Sequence, residues 1–317
     1  MFQLKLYNYS CIQLFMKQFL ISKLADPYSG EELIFSPDND LIKTATGNSY
    51  FIKDDIAVMI NASLQTNGQE TDLHKKFNSN FNYINHYETD AAQFNYFNNN
   101  EPSITKNERK RSREAIINAV PENVLSMLDI GCGNGWLAEY FLQKGKQVVS
   151  SDISVINPAK ALARFPHQNH AAIVCDAFNL PFKNNSFDCI VASEVIEHVF
   201  NPALFVSSLL QKIKPGGILI LITPYNEKIE YFLCVHCNKP TPKNAHLHSF
   251  NEKNIKSFFQ SATNKIYFDA FCNKYLLKSR LYNLMSFLPY RLWKLVDMLA
   301  NKIVKKPTTF LIKTVKA

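Results

Sequence analysis

Glycine is scarce in this chain, and three of the nine glycines stand within five residues, at positions 131, 133 and 135. Cysteine is sparse too: the seven cysteines are scattered and odd in number, which argues against a disulfide framework and fits a reducing compartment. The sequence has no run of about eighteen uninterrupted apolar residues, as a transmembrane helix would need. Its first residues lack the basic, apolar and small-residue order of a signal peptide. We therefore expect a cytoplasmic protein.

Dense positive charge is also lacking, although the net charge is +8 and the sequence pI is about 9.0. There is no long arginine-rich tract and no internal repeat. A basic balance is compatible with RNA, an anionic membrane or an acidic substrate as partner. Because the lysines are spread thinly, a general compositional bias is favoured over a nucleic-acid surface. The 46% of hydrophobic residues is enough for a full core.

The glycine cluster is the most informative stretch of the chain. It follows an apolar run at 124–130 and precedes a helix-compatible segment at 136–144. Glycine permits positive φ and close backbone approach, so a strand, this turn and a helix predict the start of a nucleotide-binding βα unit. Asp152, about twenty residues beyond the glycines at the end of a second apolar run, is placed to accept both ribose hydroxyls. Trp136 breaks the dinucleotide pattern G-x-G-x-x-G, which disfavours a nicotinamide or flavin cofactor.

The segment 128–135 closely resembles the first motif of class I S-adenosylmethionine-dependent methyltransferases. Further segments at 175–182, 186–199 and 209–222 are similar to later motifs of that family, in the family's order. The resemblance implies a Rossmann-like, doubly wound α/β sheet of seven strands with the last strand antiparallel. It places strand six at 266–271 and strand seven at 308–315. It also implies S-adenosylmethionine as cofactor, held by Asp129, Gly131, Gly133, Gly135, Asp152, Ile153, Asp176, Ala177 and Ser193.

Glu194 and His198 are the candidates for catalysis, with His198 the first choice as general base. They are four residues apart and would share one face of a helix. An exposed pair or a helix cap is the alternative interpretation. The surrounding pattern Ser-Glu-Val-Ile-Glu-His-Val resembles enzymes that methylate small molecules such as quinones, other lipids or metabolites. An RNA base methyltransferase, and a non-catalytic S-adenosylmethionine-binding partner protein, remain open.

Three regions are predicted: a small β-rich module at 20–62, a linker and lid at 63–108, and a methyltransferase domain at 109–317. The module resembles the Trm112-like, zinc-ribbon-like domains attached to some methyltransferases. Asp26 and Ser29 occupy the apparent positions of its first cysteine pair, and no cysteine lies between Cys11 and Cys132. A four-cysteine zinc site in the module is thereby excluded, so apolar packing must hold it. Aromatic residues at 86–97 suit either a lid over the cofactor or a stripe packed on the sheet.

Cys234 and Cys237 form a Cys-x-x-Cys pair, and His246 follows nearby. Thiolates and imidazole at such spacing suit zinc, with Cys272 as a further candidate ligand. The alternative is a substrate loop with incidental thiols.

An insertion at 281–304 departs from the family pattern. Leu292, Leu295, Val296 and Leu299 fall on one helical face, with basic residues nearby. That pattern suits an interfacial helix that contacts the inner face of a membrane and reaches a lipid-like acceptor. The alternative is a helix that covers the active site.

Overall fold

The computed structural model describes residues 17–36, 41–60, 83–94, 102–233, 238, 240–259, 263–279 and 285–317. The chain divides into two compact units. The first falls within 1–97, 124–191 and 208–217, and the second within 98–123, 192–207 and 218–317. The strands are β1 (Ile34–Ser36), β2 (Leu41–Lys43), β3 (Ser49–Lys53), β4 (Ile56–Val58), β5 (Ser126–Ile130), β6 (Gln147–Asp152), β7 (His170–Val174), β8 (Phe187–Ser193), β9 (Ile213–Pro224), β10 (Tyr231–Leu233), β11 (Pro240–Pro242), β12 (Thr263–Asn273) and β13 (Pro307–Lys316).

Nine α-helices are found among the described residues, most of them in connections between these strands. In chain order they are α1 (Gln18–Ile21), α2 (Tyr83–Gln93), α3 (Ser103–Ala119), α4 (Trp136–Leu142), α5 (Ile156–Arg164), α6 (Pro202–Lys212), α7 (Glu252–Ile255), α8 (Lys274–Lys278) and α9 (Tyr290–Ile303). Among the residues that the structure describes, no helix is long and apolar enough to cross a membrane.

One mixed sheet has the strand order β1-β2-β3-β4-β7-β6-β5-β8-β9-β13-β12, and β8 and β9 have residues in both units. In the first unit, β5, β6 and β7 are parallel, as expected when helices α4 and α5 cross over between them. In the second unit, β13 is antiparallel to both β9 and β12. The seven strands β7-β6-β5-β8-β9-β13-β12 form the predicted seven-stranded sheet. The prediction that the last strand in the sequence, here β13, is antiparallel is confirmed.

The β-rich amino-terminal segment extends the first unit's sheet. Strands β1 to β4 form an antiparallel meander, and β4 then pairs in parallel with β7 through Ala57 opposite Ile173 and Val58 opposite Val174. An apolar cluster that includes Ile56 lies under this junction. The apolar packing expected for this module is therefore present, while its Trm112-like character and the three domain boundaries stay predictions.

Asp26 organises the turn where a zinc-ribbon module would have its first cysteine pair. Its carboxylate accepts hydrogen bonds from the backbone N–H groups of Tyr28 (2.9 Å) and Ser29 (2.7 Å). It also accepts hydrogen bonds from the Tyr50 hydroxyl (2.7 Å) and the Asn48 amide (3.3 Å). Burial opposes ionisation of Asp26, but these donors outweigh it and lower its pKa. A buried carboxylate thus cross-links the turn to β3.

Helix α9 lies within the predicted insertion at 281–304, of which residues 281–284 are outside the described residues. One face is buried in the second unit: Trp293 lies under the Arg111 guanidinium, 4.8 Å from the ring centre. Asp297 accepts hydrogen bonds from the backbone N–H groups of Cys272 and Asn273 in β12. Arg111 is itself fully buried and donates to the backbone carbonyls of Met285 and Leu288 just before the helix. These contacts fix the rotation of α9 about its axis.

Candidate functional site

The glycine turn directly follows β5, as predicted. Gly131, Gly133 and Gly135 have φ values of +69°, +48° and +69°, a region that side chains with a Cβ rarely adopt. A Cβ on Gly135 would lie 2.9 Å from the Cβ of Ala161, so this glycine lets the turn pack on α5. A Cβ on Gly133 would meet nothing closer than the Gly131 carbonyl oxygen at 4.0 Å. The backbone at Gly133 is therefore open to a ligand.

Asp129 anchors this turn from within β5. Asp129 is 2% exposed, and its backbone carbonyl accepts a hydrogen bond from the Ser151 hydroxyl (2.8 Å). The Cys132 N–H in turn donates to the Ser151 carbonyl (2.9 Å). Burial raises the pKa of the Cys132 thiol, so this cysteine is an inert packing residue. The turn is thus tied to the end of β6, where the predicted ribose acid stands.

Asp152 ends β6, and Ile153 follows it at the start of the loop to α5. The Asp152 carboxylate accepts from the Ser154 N–H (3.1 Å) and the Asn157 amide (3.1 Å). Burial nevertheless raises its pKa, with the Gly133 N–H among the donors that oppose the rise. The structure therefore brings the predicted ribose acid and the glycine turn together in one unit.

Helix α2, in the predicted lid, contacts the same loop. The Glu88 carboxylate accepts hydrogen bonds from the Ser154 hydroxyl and the Val155 N–H, both at 3.0 Å. A carboxylate at this position accepts hydrogen bonds from N–H groups at the start of α5. Its negative charge also interacts favourably with the positive end of the helix dipole. Sequence reasoning missed Glu88, because its partner is 66 residues away.

Asp176 and Ala177, the predicted adenine contacts, follow β7. Asp176 is 2% exposed and accepts hydrogen bonds from the Phe178 N–H (2.9 Å) and the Asn179 amide (3.4 Å). The Ala177 carbonyl accepts from the Ser208 hydroxyl (2.7 Å). These bonds hold the loop in a fixed conformation, which a specific contact with a purine would need.

The segment after β8 corrects one expectation. Ser193 ends β8, but the residues that follow, 194–199, form a turn and not a helix, so Glu194 and His198 do not share a helix face. Glu194 has φ +56°, which interrupts any helix, and its N–H donates to the Ile222 carbonyl in β9. The next helix, α6, begins only at Pro202. Glu194 is exposed in this turn, and His198 is partly buried.

A cluster of titratable side chains forms in the second unit around His198. Its other members are Glu197 and His246, and one ligand atom from each of the three residues lies within 4.8 Å of the others. His198 Nε2 is 4.0 Å from Glu197 Oε1, and the two imidazole rings meet edge to face with their centres 4.8 Å apart. Burial, followed by the neighbouring Glu194, raises the pKa of Glu197 well above its usual range.

Further residues support this cluster. Thr223 donates to Glu197 Oε2 (3.0 Å), and His246 Nδ1 lies 2.5 Å from a Glu227 carboxylate oxygen. Sequence reasoning missed Glu197, Thr223 and Glu227; for Glu197, its place beside His198 was an available signal. His246 is thus found with a histidine and an acid, whereas Cys234 and Cys237 lie outside the described residues. The zinc hypothesis for that cysteine pair stays a prediction.

Comparisons with known proteins agree with this geometry. The Methyltransferase domain family (Methyltransf_23) matches residues 99–263. A ubiquinone biosynthesis O-methyltransferase of Bradyrhizobium sp. (strain ORS 278) is 38% identical over 31% of this chain and 40% of its own length. The mitochondrial ubiquinone biosynthesis O-methyltransferase of Rattus norvegicus is 33% identical over 36% of this chain and 34% of its own length. The chain therefore matches less than half of the length of these relatives.

A solved structure extends the likeness of the fold. It is a chain of the Haloferax volcanii complex between the methyltransferase activator Trm112 and a methyltransferase, with 17% identity and a TM-score of 0.50. The match covers 74% of this chain and 97% of that chain.

The residues of the first unit also fit S-adenosylmethionine. The open backbone at Gly133 allows close approach, and the carboxylates of Asp152 and Asp176 are placed at ends of parallel strands, where α/β sheets bind ligands. When bound, S-adenosylmethionine supplies an activated methyl group. With more than half of its residues, 99–263, matched by the family, this chain belongs to the methyltransferase domain family.

Proposed function

We propose that this chain is an S-adenosylmethionine-dependent methyltransferase that transfers the methyl group to a hydroxyl oxygen of a small, lipid-like molecule related to the quinones. The observation that carries the proposal is the cluster of Glu197, His198 and His246 just described. A hydroxyl is a poor nucleophile until it loses its proton, whereas a neutral amine needs no base. A buried group of side chains with basic lone pairs therefore suits an oxygen acceptor. The name of the relatives, ubiquinone biosynthesis O-methyltransferase, supports the same acceptor class.

His198 offers its Nε2 atom to this cluster. Its Nδ1 lies 3.3 Å from the Ala245 carbonyl oxygen. A carbonyl only accepts hydrogen bonds, so Nδ1 carries the proton of the neutral ring and Nε2 holds a lone pair. The cluster can therefore take up the acceptor's proton directly.

The acceptor class is tested with radiolabelled S-adenosylmethionine and a cell extract, with and without ribonuclease. We expect label in a small, organic-soluble product that ribonuclease does not remove. Label that disappears with ribonuclease would point instead to an RNA methyltransferase, and binding of S-adenosylmethionine without any labelled product would point to a non-catalytic protein.

The role of the cluster is tested with His198→Asn. We expect kcat to fall by roughly 100-fold or more, the range for loss of proton transfer, with unchanged affinity for S-adenosylmethionine. The matched control is His167→Asn, which alters an exposed histidine of the first unit. Equal activity of the two variants would contradict the role assigned to His198.

We also propose that α9 contacts an anionic membrane surface, from which a lipid-like acceptor is drawn. The face of α9 opposite Trp293 is solvent-exposed, and it carries Leu292 (55% exposed), Leu295 (49%) and Leu299 (49%). Exposed basic residues stand beside this face at Arg291, Lys302, Lys305 and Lys306. An apolar stripe with flanking positive charge is the pattern of an interfacial helix. A cytoplasmic protein that binds the inner membrane face peripherally would fit this pattern.

A further inference from the structure

Glu88 is the residue through which helix α2 contacts the loop that carries Asp152. Its carboxylate oxygens have separate partners: Oε2 accepts from the Ser154 hydroxyl and Oε1 accepts from the Val155 N–H, both at 3.0 Å. Hydrogen bonds to a carboxylate are roughly twice as strong as those between neutral groups. A single side chain of α2 therefore holds this loop firmly.

The Glu88 side chain lies on the face of α2 that packs on α5. Ala91, three residues later, shares this face and is 2% exposed. Gln93, which is not on this face, is exposed. The Glu88 carboxylate therefore points into the protein, where its contacts fix how α2 lies beside the loop.

Ser154 connects Glu88 to Asp152. The Ser154 hydroxyl donates to Glu88, and the Ser154 N–H donates to Asp152 Oδ1 at 3.1 Å. The same hydroxyl accepts from the Ile156 N–H (3.1 Å) at the start of α5. Ser154 is fully buried, so water does not replace a lost partner at low cost. The position of this serine thus depends on Glu88 as well as on Asp152.

The Asp152 carboxylate has a donor on each oxygen. Oδ1 accepts from the Ser154 N–H and Oδ2 accepts from the Asn157 amide, both at 3.1 Å. These donors fix the plane of the carboxylate. A contact with both hydroxyls of a ribose depends on that plane, because hydrogen bonds weaken steeply as their angle departs from linear. A loop that moves would therefore bind the ribose less tightly.

A role in capping α5 alone is the competing explanation for Glu88. The start of α5 already has other acceptors in its own segment, since Asp152 binds the Ser154 N–H and the Ser154 hydroxyl oxygen binds the Ile156 N–H. Glu88 comes from a different helix, 66 residues before Ser154. Its contacts join two elements of the first unit, which a cap formed within one segment does not do.

We propose that Glu88 is a cofactor-positioning residue, which holds Ser154 and Val155 so that Asp152 is oriented to bind the ribose of S-adenosylmethionine. The inference rests on the proposed function, because it needs S-adenosylmethionine at Asp152. Glu88 acts through the loop and has no part in the transfer of the methyl group. Its loss should therefore raise the KM for S-adenosylmethionine and leave kcat at saturating cofactor nearly unchanged.

The test measures, by calorimetry, how the full chain binds S-adenosylhomocysteine and its counterpart that lacks the ribose 2′-hydroxyl. Glu88→Ala should bind S-adenosylhomocysteine roughly 10-fold more weakly, as expected for the loss of about one hydrogen bond to a charged group. The counterpart lacks a hydroxyl that Asp152 would hold, so its affinity should fall less. The preference for the complete ribose should therefore shrink. Gln93→Ala is the matched control on α2 and should bind both ligands as the unmodified chain does.

Further variants separate positioning from folding. Glu88→Gln keeps an oxygen that accepts from the Val155 N–H, and we expect it to bind S-adenosylhomocysteine within roughly 3-fold of the unmodified chain. Ser154→Ala keeps the N–H that donates to Asp152 and removes the hydroxyl. Because Glu88 and Ser154 share one contact, Glu88→Ala/Ser154→Ala should lose less affinity than the product of the two single losses.

The outcomes distinguish this inference from the proposed function. A lower melting temperature of Glu88→Ala with an unchanged preference for the complete ribose would show a structural role alone and overturn the inference. Affinity that Asp152→Asn leaves unchanged would place the ribose elsewhere, which overturns the inference and leaves the function intact. Failure of the unmodified chain to bind S-adenosylhomocysteine would contradict the proposed function itself.

Discussion

Gly133 and Gly135 both adopt positive φ, yet an added methyl group would meet different surroundings at the two positions. At Gly135 it would press on Ala161 and on the ring of Phe165, 3.2 Å away. At Gly133 it would project into open space in front of the turn. Gly135 is therefore required for packing of the turn on α5, and we expect Gly133 to be required for approach of the cofactor.

Gly133→Ala should weaken binding of S-adenosylmethionine by roughly 10-fold or more, because the new methyl group occupies the ligand's side of the turn. The strain of positive φ should cost about 1–2 kcal/mol of stability. Gly30→Ala is the matched control: its φ is +75° and nothing lies within 4 Å of its added Cβ. We expect both variants to lose similar stability by chemical denaturation, and only Gly133→Ala to lose affinity by calorimetry. Unchanged affinity in Gly133→Ala would contradict the placement of the cofactor.

Single residues also show where sequence reasoning stops. The absence of cysteine at positions 26 and 29 predicts that no four-cysteine site forms there, but the four hydrogen bonds that Asp26 accepts could not be foreseen. The bonds from Tyr50 and Asn48 span more than twenty residues. Local patterns encode no such partner, so these contacts of Asp26 became visible only in the structure.

At the scale of elements, the predicted helix after β8 was wrong, whereas a helix does form within the predicted insertion. The segment at 194–199 was predicted as helix from the family resemblance, but the positive φ of Glu194 makes it a turn. Helix α9 forms at 290–303, within the predicted insertion, with an apolar face toward solvent. The amphipathic period predicts a helix reliably, but it does not tell which face the protein covers. Here Trp293 and Asp297 settle that question.

Leu292→Ser/Leu299→Ser should reduce membrane binding without unfolding the protein. Both leucines are about half exposed, so their loss removes apolar contact with lipid and little packing. We expect the unmodified chain to float with vesicles that contain phosphatidylglycerol at low salt, and to be released as salt screens the basic residues. Leu204→Ser, which alters a leucine that is 43% exposed on α6, is the matched control. Failure of the unmodified chain to float, or equal flotation of both variants, would contradict the proposed contact.

For the whole molecule, the seven-stranded doubly wound sheet was predictable, and the cofactor side of the site stays a prediction that this sheet supports. The motifs around Gly131, Asp152 and Asp176 each follow a strand, and a doubly wound sheet brings the ends of its parallel strands to one edge. The pairing of β4 with β7 was not predictable, because the edge of a parallel sheet accepts any strand with exposed backbone groups. The cluster of Glu197, His198 and His246 was not predictable either, since His246 joins it from 48 residues beyond His198.

Stability of the whole chain should depend on pH through Asp188. Its carboxylate accepts hydrogen bonds from the N–H groups of Leu125 (3.0 Å) and Ser126 (2.8 Å) and pairs with Lys214 (2.7 Å). Burial alone would raise the pKa of Asp188, but these partners outweigh it and lower the pKa to about 2. A depressed pKa means that the contribution is present above the ordinary value near 3.8 and is lost as pH falls toward 2.

Asp188→Asn should therefore cost roughly 1–2 kcal/mol of unfolding free energy at pH 7, allowing for the solvent exposure of Lys214. The difference between the two proteins should shrink as pH falls from 5 to 2.5, because the unmodified aspartate then loses its charge as well. Urea unfolding at several pH values measures this directly. Glu32→Gln, which alters an exposed acid, should follow the unmodified chain at every pH. A penalty for Asp188→Asn that stays constant across the range would show that the side chain acts through packing and hydrogen bonding, and that its charge contributes nothing.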